Sequence, residues 1–219
     1  MDKKRFVVGI AAKNEEENIE YIINSLRKQG FNDIYIVDEH SKDKTKEIAE
    51  KMGVSVYQRK EKGFGAGVRE VLRIAKEKGY KYVGRLDCDG TYPPEDLKKM
   101  TEYMGNYDLI IGYRNYKNVN PLHRLPNRLF TLLTNILFNG KIKDLNCGMK
   151  IYKVDKFYNL LDTNGWDLEA QISIRALKNR YKIKQIPINY KMRYGGHSKI
   201  RIKDGFSILW RIIKERFIK

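Results

Sequence analysis

Cysteine is scarce in this 219-residue chain, which has only two, Cys88 and Cys147. Two cysteines cannot build a disulfide framework, and these two lack the spacing of a metal-binding cluster. Long apolar runs are also missing, because none reaches the roughly 18 residues that a membrane-spanning helix needs. The first residues lack the apolar segment of a signal peptide. We therefore expect reduced thiols and a cytoplasmic protein without a transmembrane helix.

Acidic residues are few relative to basic ones: 27 Asp and Glu against 44 Lys and Arg, a formal net charge of +17. Such an excess favours an anionic partner, which is a nucleic acid, an anionic membrane surface or a phosphorylated substrate. No motif of a nucleic-acid-binding fold is recognisable, and acidic side chains cluster where a polyanion would be repelled. Nucleic-acid binding is thus the alternative from another class, which the salt dependence of binding would test.

The fingerprint of a dinucleotide-binding fold is also missing. The glycine-rich segment 63–67 follows the third predicted strand rather than the first, and its glycines have the wrong spacing. We interpret it as a bend that leads into a helix over 67–78. With Arg59, Lys60 and Lys62 nearby, this bend is a candidate phosphate-side loop.

Short apolar runs alternate with helical patterns through the first half of the chain. Strands are predicted at 6–12, 33–38, 54–57, 82–84 and 107–113, and helices begin near 19, 44, 67 and 93. This alternation is typical of an α/β fold, a mostly parallel sheet covered by helices. Ligands bind at the carboxyl ends of the strands in such sheets. The polar residues that follow strands one, two and four are therefore expected to meet in one crevice.

Two carboxylates, Asp87 and Asp89, follow the fourth predicted strand. Side chains at positions i and i+2 of an extended segment point to the same side. Two like charges held together repel each other unless a cation lies between them. A hard divalent cation, bound through these carboxylates and the phosphates of a substrate, accounts for the pair.

The second half contains two apolar helical patterns. The tract 129–138 is apolar nearly all round, which predicts a helix that is buried, or one that meets lipid or another subunit. From Asp204 onward, Phe206, Leu209, Trp210, Ile213 and Phe217 fall on one helical face. This pattern fits a basic amphipathic helix in a membrane interface and, equally, a helix that packs on the domain.

Six motifs occur in a consistent order between about residues 6 and 200. They are Asn14-Glu15-Glu16-Glu17-Asn18-Ile19, Asp38-x-x-Ser41-x-Asp43-x-Thr45, Asp87-x-Asp89-Gly90-Thr91-Tyr92-Pro93-Pro94-Glu95, Gly112-x-Arg114, Asp144-x-x-x-Gly148 and Gly196-x-Ser198-Lys199. Together they resemble glycosyltransferase family 2, inverting enzymes of the GT-A fold. Within that family the chain looks most like the dolichyl- or polyprenyl-phosphate sugar synthases.

The resemblance implies a Rossmann-like catalytic domain over 1–200 and a C-terminal amphipathic helix over 201–219. Residues 1–114 would bind the nucleotide-sugar, and residues 115–200 would bind the acceptor. The implied nucleotide-binding residues are Ala11, Lys13, Asn14, Glu15, Val37, Asp38, Asp87, Cys88 and Asp89. The implied ligands of Mg²⁺ or Mn²⁺ are Asp87, Asp89 and Thr91, and the implied catalytic residues are Asp87, Asp89 and Arg114.

Two departures from the family pattern affect the nucleoside pocket. Ala11 and Lys13 replace the usual Pro and Tyr, and Asp38-Glu39 replaces Asp-Asp. The sequence therefore leaves open whether the donor carries GDP or UDP.

The acceptor is the second open question. The resemblance implies that a lipid phosphate would be bound by Arg114, Arg124, Arg128, Arg193, His197 and Lys199. A phosphate acceptor is already anionic, whereas a hydroxyl acceptor needs a base, for which Asp144 and Glu169 are the candidates. The basic residues and apolar helices of the second half favour the lipid phosphate. We thus expect a peripheral protein at the cytoplasmic face of the membrane, with room for a membrane-embedded partner subunit.

Overall fold

The computed structural model describes residues 5–191 and 202–218, in which a seven-stranded sheet is flanked by helices. The strands are Phe6–Ala12 (β1), Ile34–Asp38 (β2), Ser55–Gln58 (β3), Tyr82–Arg85 (β4), Leu109–Arg114 (β5), Lys150–Lys153 (β6) and Ile183–Ile188 (β7). The helices are Ile19–Lys28 (α1), Thr45–Lys51 (α2), Phe64–Glu77 (α3), Pro94–Thr101 (α4), Pro121–Phe138 (α5), Val154–Phe157 (α6), Leu168–Lys178 (α7) and Ile202–Phe217 (α8).

The sheet has the strand order β3-β2-β1-β4-β6-β5-β7. Among these strands, β6 runs antiparallel to its neighbours β4 and β5, and the other pairs are parallel. The apolar runs form the core because helices cover both faces of such a sheet; all of β2 is buried, for example. The prediction of a mostly parallel α/β sheet covered by helices is confirmed.

The direction of β6 brings a second chain segment to the crevice. The carboxyl ends of β1, β2, β4 and β5 lie at one edge of the sheet, and β6 begins at that edge because it is antiparallel. Arg85, the last residue of β4, is paired in register with Lys150, the first residue of β6. Residues 147–149 therefore lie beside the loop that carries Asp87.

The glycine-rich segment is helical for most of its length, so the prediction of a bend up to residue 67 was wrong. Helix α3 begins at Phe64, whose ring stacks on Trp166 with the ring centroids 4.3 Å apart. The amide of Gly65 donates a hydrogen bond to the carbonyl oxygen of Asn164 at 2.9 Å. Contacts with this distant segment fix the first turn of the helix.

Replacing Gly65 with Ala is expected to destabilise the fold. A Cβ atom at this position would lie 2.5 Å from the carbonyl oxygen of Thr163, which is backbone and cannot rotate away. Overpacking of this kind costs about 1–3 kcal/mol in the free energy of unfolding.

The matched control is Gly205 in α8, where a Cβ would lie 3.8 Å from the ring of Phe130. There Ala should stabilise the protein by up to about 1 kcal/mol, since Ala is the better helix former. Urea unfolding of both variants measures the difference, and equal effects would contradict the packing argument.

Helix α5 presents a row of large apolar side chains to solvent. Its inner side, including Phe130 and Leu133, packs against the core. The outer row has exposures between 54% and 81% and consists of Leu122, Leu125, Leu129, Leu132 and Ile136. These residues are spaced three and four apart, so they form one continuous stripe along the helix. The interpretation as a buried helix thus applies to the inner side, and contact of the outer row with lipid or another subunit stays a prediction.

Helix α8 packs on the protein through both apolar and charged residues, and it turns its other apolar residues outward. Ile208, Ile212 and Glu215 are buried against the domain, whereas Trp210 remains 65% exposed. Phe206, Ile213 and Phe217 are exposed as well. Helices α5 and α8 contact each other. We call their exposed apolar residues the apolar face: Leu122, Leu125, Leu129, Leu132 and Ile136 of α5 with Phe206, Trp210, Ile213 and Phe217 of α8.

The orientation of α8 is fixed by a buried carboxylate. Glu215 Oε1 accepts hydrogen bonds from Gln171 Nε2 at 3.1 Å and from Arg175 Nε at 2.9 Å. Arg211 Nε donates to Asp167 Oδ2 at 2.7 Å. Because these partners lie on or next to α7, the helix cannot turn its apolar side inward without breaking them. Within residues 5–191 and 202–218, every helix is too short or too polar to cross a membrane.

Candidate active site

The loops that follow β1 and β2 are held together by hydrogen bonds. The amide of Asn14 donates to Ser41 Oγ at 2.9 Å, and Asn14 Oδ1 accepts from the amide of Lys42 at 2.8 Å. The amide of Glu15 donates to Thr45 Oγ1 at 2.7 Å. The structure thus brings Asn14 and Glu15 together with the β2 loop, as the sequence predicted. Their binding of a nucleotide stays a prediction.

Asp38 closes its own loop. Its carboxylate is fully buried and accepts hydrogen bonds from the amide and the hydroxyl of Ser41, the first at 3.0 Å. The neighbouring Val37 side chain is fully buried as well. Both side chains face the protein interior. Their predicted contact with the nucleoside stays a prediction.

The two sequence departures at the nucleoside pocket contact each other. Lys13 Nζ lies 2.8 Å from Glu39 Oε1, and the other oxygen of Glu39 is paired with Arg59. Arg59 also donates to the carbonyl oxygen of Gly63, and burial lowers its pKa to about 10. Arg59 is therefore held inside the protein and does not serve as an open phosphate-side cation. The half-buried Ala11 precedes this cluster in β1.

Asp87 lies between a buried arginine and the start of β6. Arg85 Nη2 donates to Asp87 Oδ1 at 3.0 Å. Asp87 Oδ2 lies so close to Gly148 that a Cβ atom there would be 2.6 Å away. Burial raises the pKa of Asp87 to about 6; Arg85 opposes this effect, while Asp89 and Glu169 add to it. The site thus holds more negative charge than Arg85 neutralises.

Asp89 is oriented by Thr91. The amide and the hydroxyl of Thr91 donate to Asp89 Oδ1 at 3.1 Å and 2.6 Å. Gly90 between them has φ +76°, which favours glycine. Thr91 is buried, and its hydroxyl orients the carboxylate of Asp89. Its predicted role as a metal ligand stays a prediction. Cys88 is buried between the two acids, and its side chain belongs to the core.

The residues at this point fit a divalent cation that is shared with a ligand. Across the described parts of the chain, no three His, Cys, Asp or Glu side chains are arranged to hold a metal ion by themselves. Asp87 and Asp89 are a pair, and Mg²⁺ is commonly bound through one or two carboxylates together with substrate phosphates. The surplus negative charge around Asp87 is what such a cation would neutralise.

Both candidate bases are ion-paired, and the role of either as a base stays a prediction. Asp144 is fully buried, and its two oxygens accept from Arg114 Nε at 2.7 Å and Nη2 at 2.9 Å. Glu169 Oε1 lies 2.7 Å from Arg85 Nη1, and its other oxygen is paired with Lys150. Burial alone would raise the pKa of Glu169, but Arg85 and Lys150 outweigh it and lower the pKa. Glu169 is accordingly a weak base.

The predicted acceptor-phosphate residues are in different surroundings. Arg114 is bound to Asp144, and Arg124 donates from Nε and Nη2 to the carbonyl oxygens of Val119 and Lys117, both at 2.7 Å. Arg128 is exposed on α5, with its guanidinium 5.2 Å from the ring centre of Tyr116. Three further candidates, Arg193, His197 and Lys199, lie outside the described residues. Among the described residues, Arg128 has the accessible charge that the prediction requires.

Sequence reasoning missed Arg85 and Lys150 as neighbours of the site. Arg85 occupies the last strand position before Asp87, and Lys150 follows the Asp144-x-x-x-Gly148 motif by two residues. A charged residue inside an otherwise apolar strand is costly unless it is paired. A lysine or arginine inside each of these strands was therefore a signal that an acidic partner lies nearby.

Comparison with known proteins finds a matching family model and proteins of similar sequence. The family model "Glycosyl transferase family 2" matches residues 7–161. The dolichyl-phosphate hexose transferase of Haloferax volcanii is 31% identical over 194 residues, which cover 86% of this chain and 83% of the relative. The UDP-N-acetylglucosamine–dolichyl-phosphate N-acetylglucosaminyltransferase of Methanococcus voltae is 24% identical over 244 residues, 97% of this chain and 96% of the relative.

A solved structure has the same fold. It is glucosyl-3-phosphoglycerate synthase from Mycobacterium tuberculosis in complex with Mn²⁺, UDP and glucosyl-3-phosphoglycerate. The TM-score is 0.80 and the sequence identity 17%, and the match covers 99% of this chain and 81% of that one.

Proposed function

Because the chain belongs to glycosyl transferase family 2, we propose that it transfers a sugar from a nucleotide-sugar to a polyprenyl or dolichyl phosphate. We place this reaction at the cytoplasmic face of the membrane. The names of the relatives that act on dolichyl phosphate support this acceptor class. The Mn²⁺ and UDP bound to the structural neighbour support a divalent cation and a nucleoside diphosphate at the donor site.

On this proposal the donor diphosphate is bound at the carboxyl end of β4. Asp87 and Asp89 would hold Mg²⁺ or Mn²⁺ together with the diphosphate, while Thr91 orients Asp89 and Arg85 orients Asp87. The bound cation would neutralise the negative charge that builds on the departing nucleoside diphosphate. The nucleoside lies toward Lys13 and Glu39, whose charges are already paired with each other.

The acceptor oxygen attacks the anomeric carbon from the face opposite the departing diphosphate, so the configuration inverts. A phosphate oxygen is anionic near neutral pH and needs no base. A hydroxyl acceptor would need one, and the carboxylates of Asp144 and Glu169 are both held by cations. This favours the phosphate acceptor over the hydroxyl one. Arg128, together with the predicted Arg193, His197 and Lys199, would bind the acceptor phosphate, since guanidinium groups bind phosphate through two hydrogen bonds.

One observation carries the choice of a lipid acceptor: the helix with the outward apolar row also borders the crevice. The amide of Leu145 donates to Thr131 Oγ1 on α5 at 3.2 Å, and Asn146 Nδ2 donates to Asn127 Oδ1 at 2.8 Å. The segment that begins with Leu145 and Asn146 continues to Gly148, which contacts Asp87. An isoprenoid chain on the apolar face would therefore be separated from the diphosphate site by helix α5 and this one chain segment.

The apolar face also supports attachment to a membrane surface. Helix α8 carries Trp210 outward, and the basic residues Lys214 and Arg216 lie on the same helix. An interfacial helix combines apolar and aromatic side chains on one side with basic residues on its polar side. The bilayer is accordingly the occupant of the apolar face that we propose, and a membrane-embedded partner subunit would be an additional contact.

The donor site is tested by thermal unfolding with UDP and with GDP, each with and without Mn²⁺. A ligand at 100 times its Kd stabilises the folded state by about 2.7 kcal/mol. In a chain of this length, each kcal/mol of stabilisation raises Tm by roughly 2–4 °C, so the expected rise in Tm is roughly 5–10 °C. We expect the rise with one nucleotide only, and only in the presence of Mn²⁺. No rise with either nucleotide would contradict the donor site.

The acceptor class is examined with the nucleotide-sugar of the base that binds. Polyprenyl phosphate is compared with the corresponding polyprenol, which has the same chain but no phosphate. Sugar transfer to the phosphate alone supports the proposal, whereas transfer to the polyprenol or to a glycan hydroxyl contradicts it.

A further inference from the structure

Four charged side chains form a continuous series behind the site. Asp87 Oδ1 is 3.0 Å from Arg85 Nη2, Arg85 Nη1 is 2.7 Å from Glu169 Oε1, and Glu169 Oε2 is paired with Lys150. Arg85, Lys150 and Glu169 are buried. The series joins β4, β6 and the first turn of α7, three elements that are distant in sequence.

Glu169 is suited to remain ionised inside the protein. It lies in the first turn of α7, where the helix dipole favours a negative charge. Arg85 and Lys150 hold its pKa below the usual range, although burial acts in the opposite direction. Burial of a carboxylate is otherwise costly, and here two cations offset that cost.

The geometry divides the guanidinium of Arg85 between two carboxylates. One terminal nitrogen faces Glu169 and the other faces Asp87, so Arg85 binds Asp87 through a single hydrogen bond to Oδ1. Without Glu169, both terminal nitrogens would turn to Asp87, because a bidentate pair with one carboxylate is the strongest arrangement open to arginine. A doubly paired Asp87 would be a poorer ligand for a cation.

Charge balance acts in the same direction. Arg85 and Lys150 carry two positive charges, and Asp87, Asp89 and Glu169 carry three negative ones. Loss of the negative charge of Glu169 would remove the net negative charge around the position of the cation. A cation is bound less tightly where that net attraction is missing.

The contact with Gly148 restrains Asp87 on its other side. A Cβ on residue 148 would lie 2.6 Å from Asp87 Oδ2 and 2.9 Å from Arg85 Nη2. The amide of Gly148 donates to Tyr92 Oη at 2.8 Å, which holds this segment in place. Asp87 is thus enclosed between Arg85 and Gly148, and the position of Arg85 decides where its carboxylate points.

We propose that Glu169 is a positioning residue that shares Arg85 with Asp87 and so keeps Asp87 available to the donor-site cation. This inference rests on the proposed function, since it assumes that Asp87 binds the cation together with a nucleoside diphosphate. It gives Glu169 a role other than that of a base. Residues that hold a metal ligand in place typically change metal affinity by about 10–100-fold when they are replaced.

The test is a titration of Mn²⁺ followed by the electron paramagnetic resonance signal of the free ion, with saturating UDP and, in parallel, GDP. The titration gives the number of sites and the Kd separately. For Glu169→Gln we expect one site per folded chain with a Kd raised about tenfold or more. A purely structural residue would lower the number of occupied sites, because some chains unfold, and would leave the Kd unchanged.

Glu215→Gln is the matched control. Glu215 is also a buried glutamate that is paired with basic side chains, Arg175, Lys178 and Arg211, but it lies on α8. We expect this variant to have a lower Tm and an unchanged Kd for Mn²⁺. An equal rise of the Kd in both glutamine variants would contradict the proposal.

A second variant covers the case in which Glu169→Gln does not fold. Glu169→Gln combined with Lys150→Met removes one acid and one base of the buried pair, so that no unpaired lysine remains inside. The double variant should regain stability while the Kd for Mn²⁺ stays raised, because Arg85 can still turn both nitrogens to Asp87. A Kd equal to that of the wild type in this variant would overturn the positioning role.

Absence of any Mn²⁺ site in the wild type would instead overturn the proposed donor site, and the positioning role with it.

Discussion

Replacing Asp89 with Asn is expected to lower the rate of sugar transfer about a thousandfold. The divalent cation contributes several kcal/mol to the stabilisation of the leaving diphosphate, and about 1.36 kcal/mol corresponds to a factor of ten in rate. The amide keeps the shape of the side chain, and its Oδ1 can still accept the two hydrogen bonds from Thr91. The substitution therefore removes the charge and leaves the loop in place. Initial rates with saturating Mn²⁺ measure the effect.

Asp155→Asn is the control for this change of charge. Asp155 is exposed and forms a surface ion pair with Lys76 at 2.6 Å, a type of pair that contributes little to stability. The Asp155→Asn variant should keep the wild-type rate and the wild-type rise in Tm with Mn²⁺ and nucleotide, whereas the Asp89→Asn variant should lose that rise. If Asp89→Asn retains a tenth of the wild-type rate or more, Asp89 does not hold the cation.

The sequence was sufficient to predict where the crevice lies, because the relevant signals are local. Apolar runs that end in polar residues predicted β1, β2 and β4, and the rule that ligands bind at the carboxyl ends of parallel strands then placed Asn14 and Asp87 at one edge. Strand β6 was outside the reach of this rule. Its antiparallel pairing with β4, Arg85 opposite Lys150, is a long-range choice that no local pattern records.

The roles of single side chains were harder to predict than their positions. Asp38 was correctly placed at the end of β2, but its carboxylate turns inward to Ser41. Because Lys13 and Glu39 depart from the family pattern, the sequence did not decide between GDP and UDP as the nucleotide of the donor. In the structure these two residues pair with each other. Glu169 was predicted as a candidate base, yet both of its oxygens are paired with cations, Arg85 of β4 and Lys150 of β6. Side-chain pairing of this kind depends on contacts between distant segments.

The two apolar helices illustrate the same limit. A stripe of apolar residues at helical spacing predicts a buried face, and it is equally compatible with a face toward lipid. In α8 the decision is made by Glu215 and Arg211, whose partners on or near α7 hold the charged side inward. Ile208 and Ile212 pack inward beside Glu215, and the other apolar side chains of α8 are exposed because these hydrogen bonds fix the rotation of the helix.

Replacing Leu129 and Leu132 together with Gln is expected to lower the affinity of the protein for lipid vesicles by roughly a hundredfold or more. Burial of a leucine side chain contributes about 1.5–3 kcal/mol, so two of them account for roughly 3–6 kcal/mol of membrane binding. Both side chains are more than half exposed in the free protein, so the substitution should change the free energy of unfolding by no more than about 0.5 kcal/mol. Co-sedimentation with vesicles of phosphatidylcholine and phosphatidylglycerol measures the affinity.

The control and the rival occupant decide what that loss means. Tyr21→Gln removes an exposed aromatic side chain on α1, outside the apolar face, and should leave vesicle binding unchanged. Anionic vesicles should bind the wild type more tightly than pure phosphatidylcholine, because each basic residue near an anionic surface adds about 1 kcal/mol. Both variants should keep the Tm rise with Mn²⁺ and nucleotide, since neither touches Asp87 or Asp89. The opposite result would be a wild type that is dimeric in solution and does not bind vesicles, and a double variant that is monomeric. That result would assign the apolar face to a second copy of the chain and not to the bilayer.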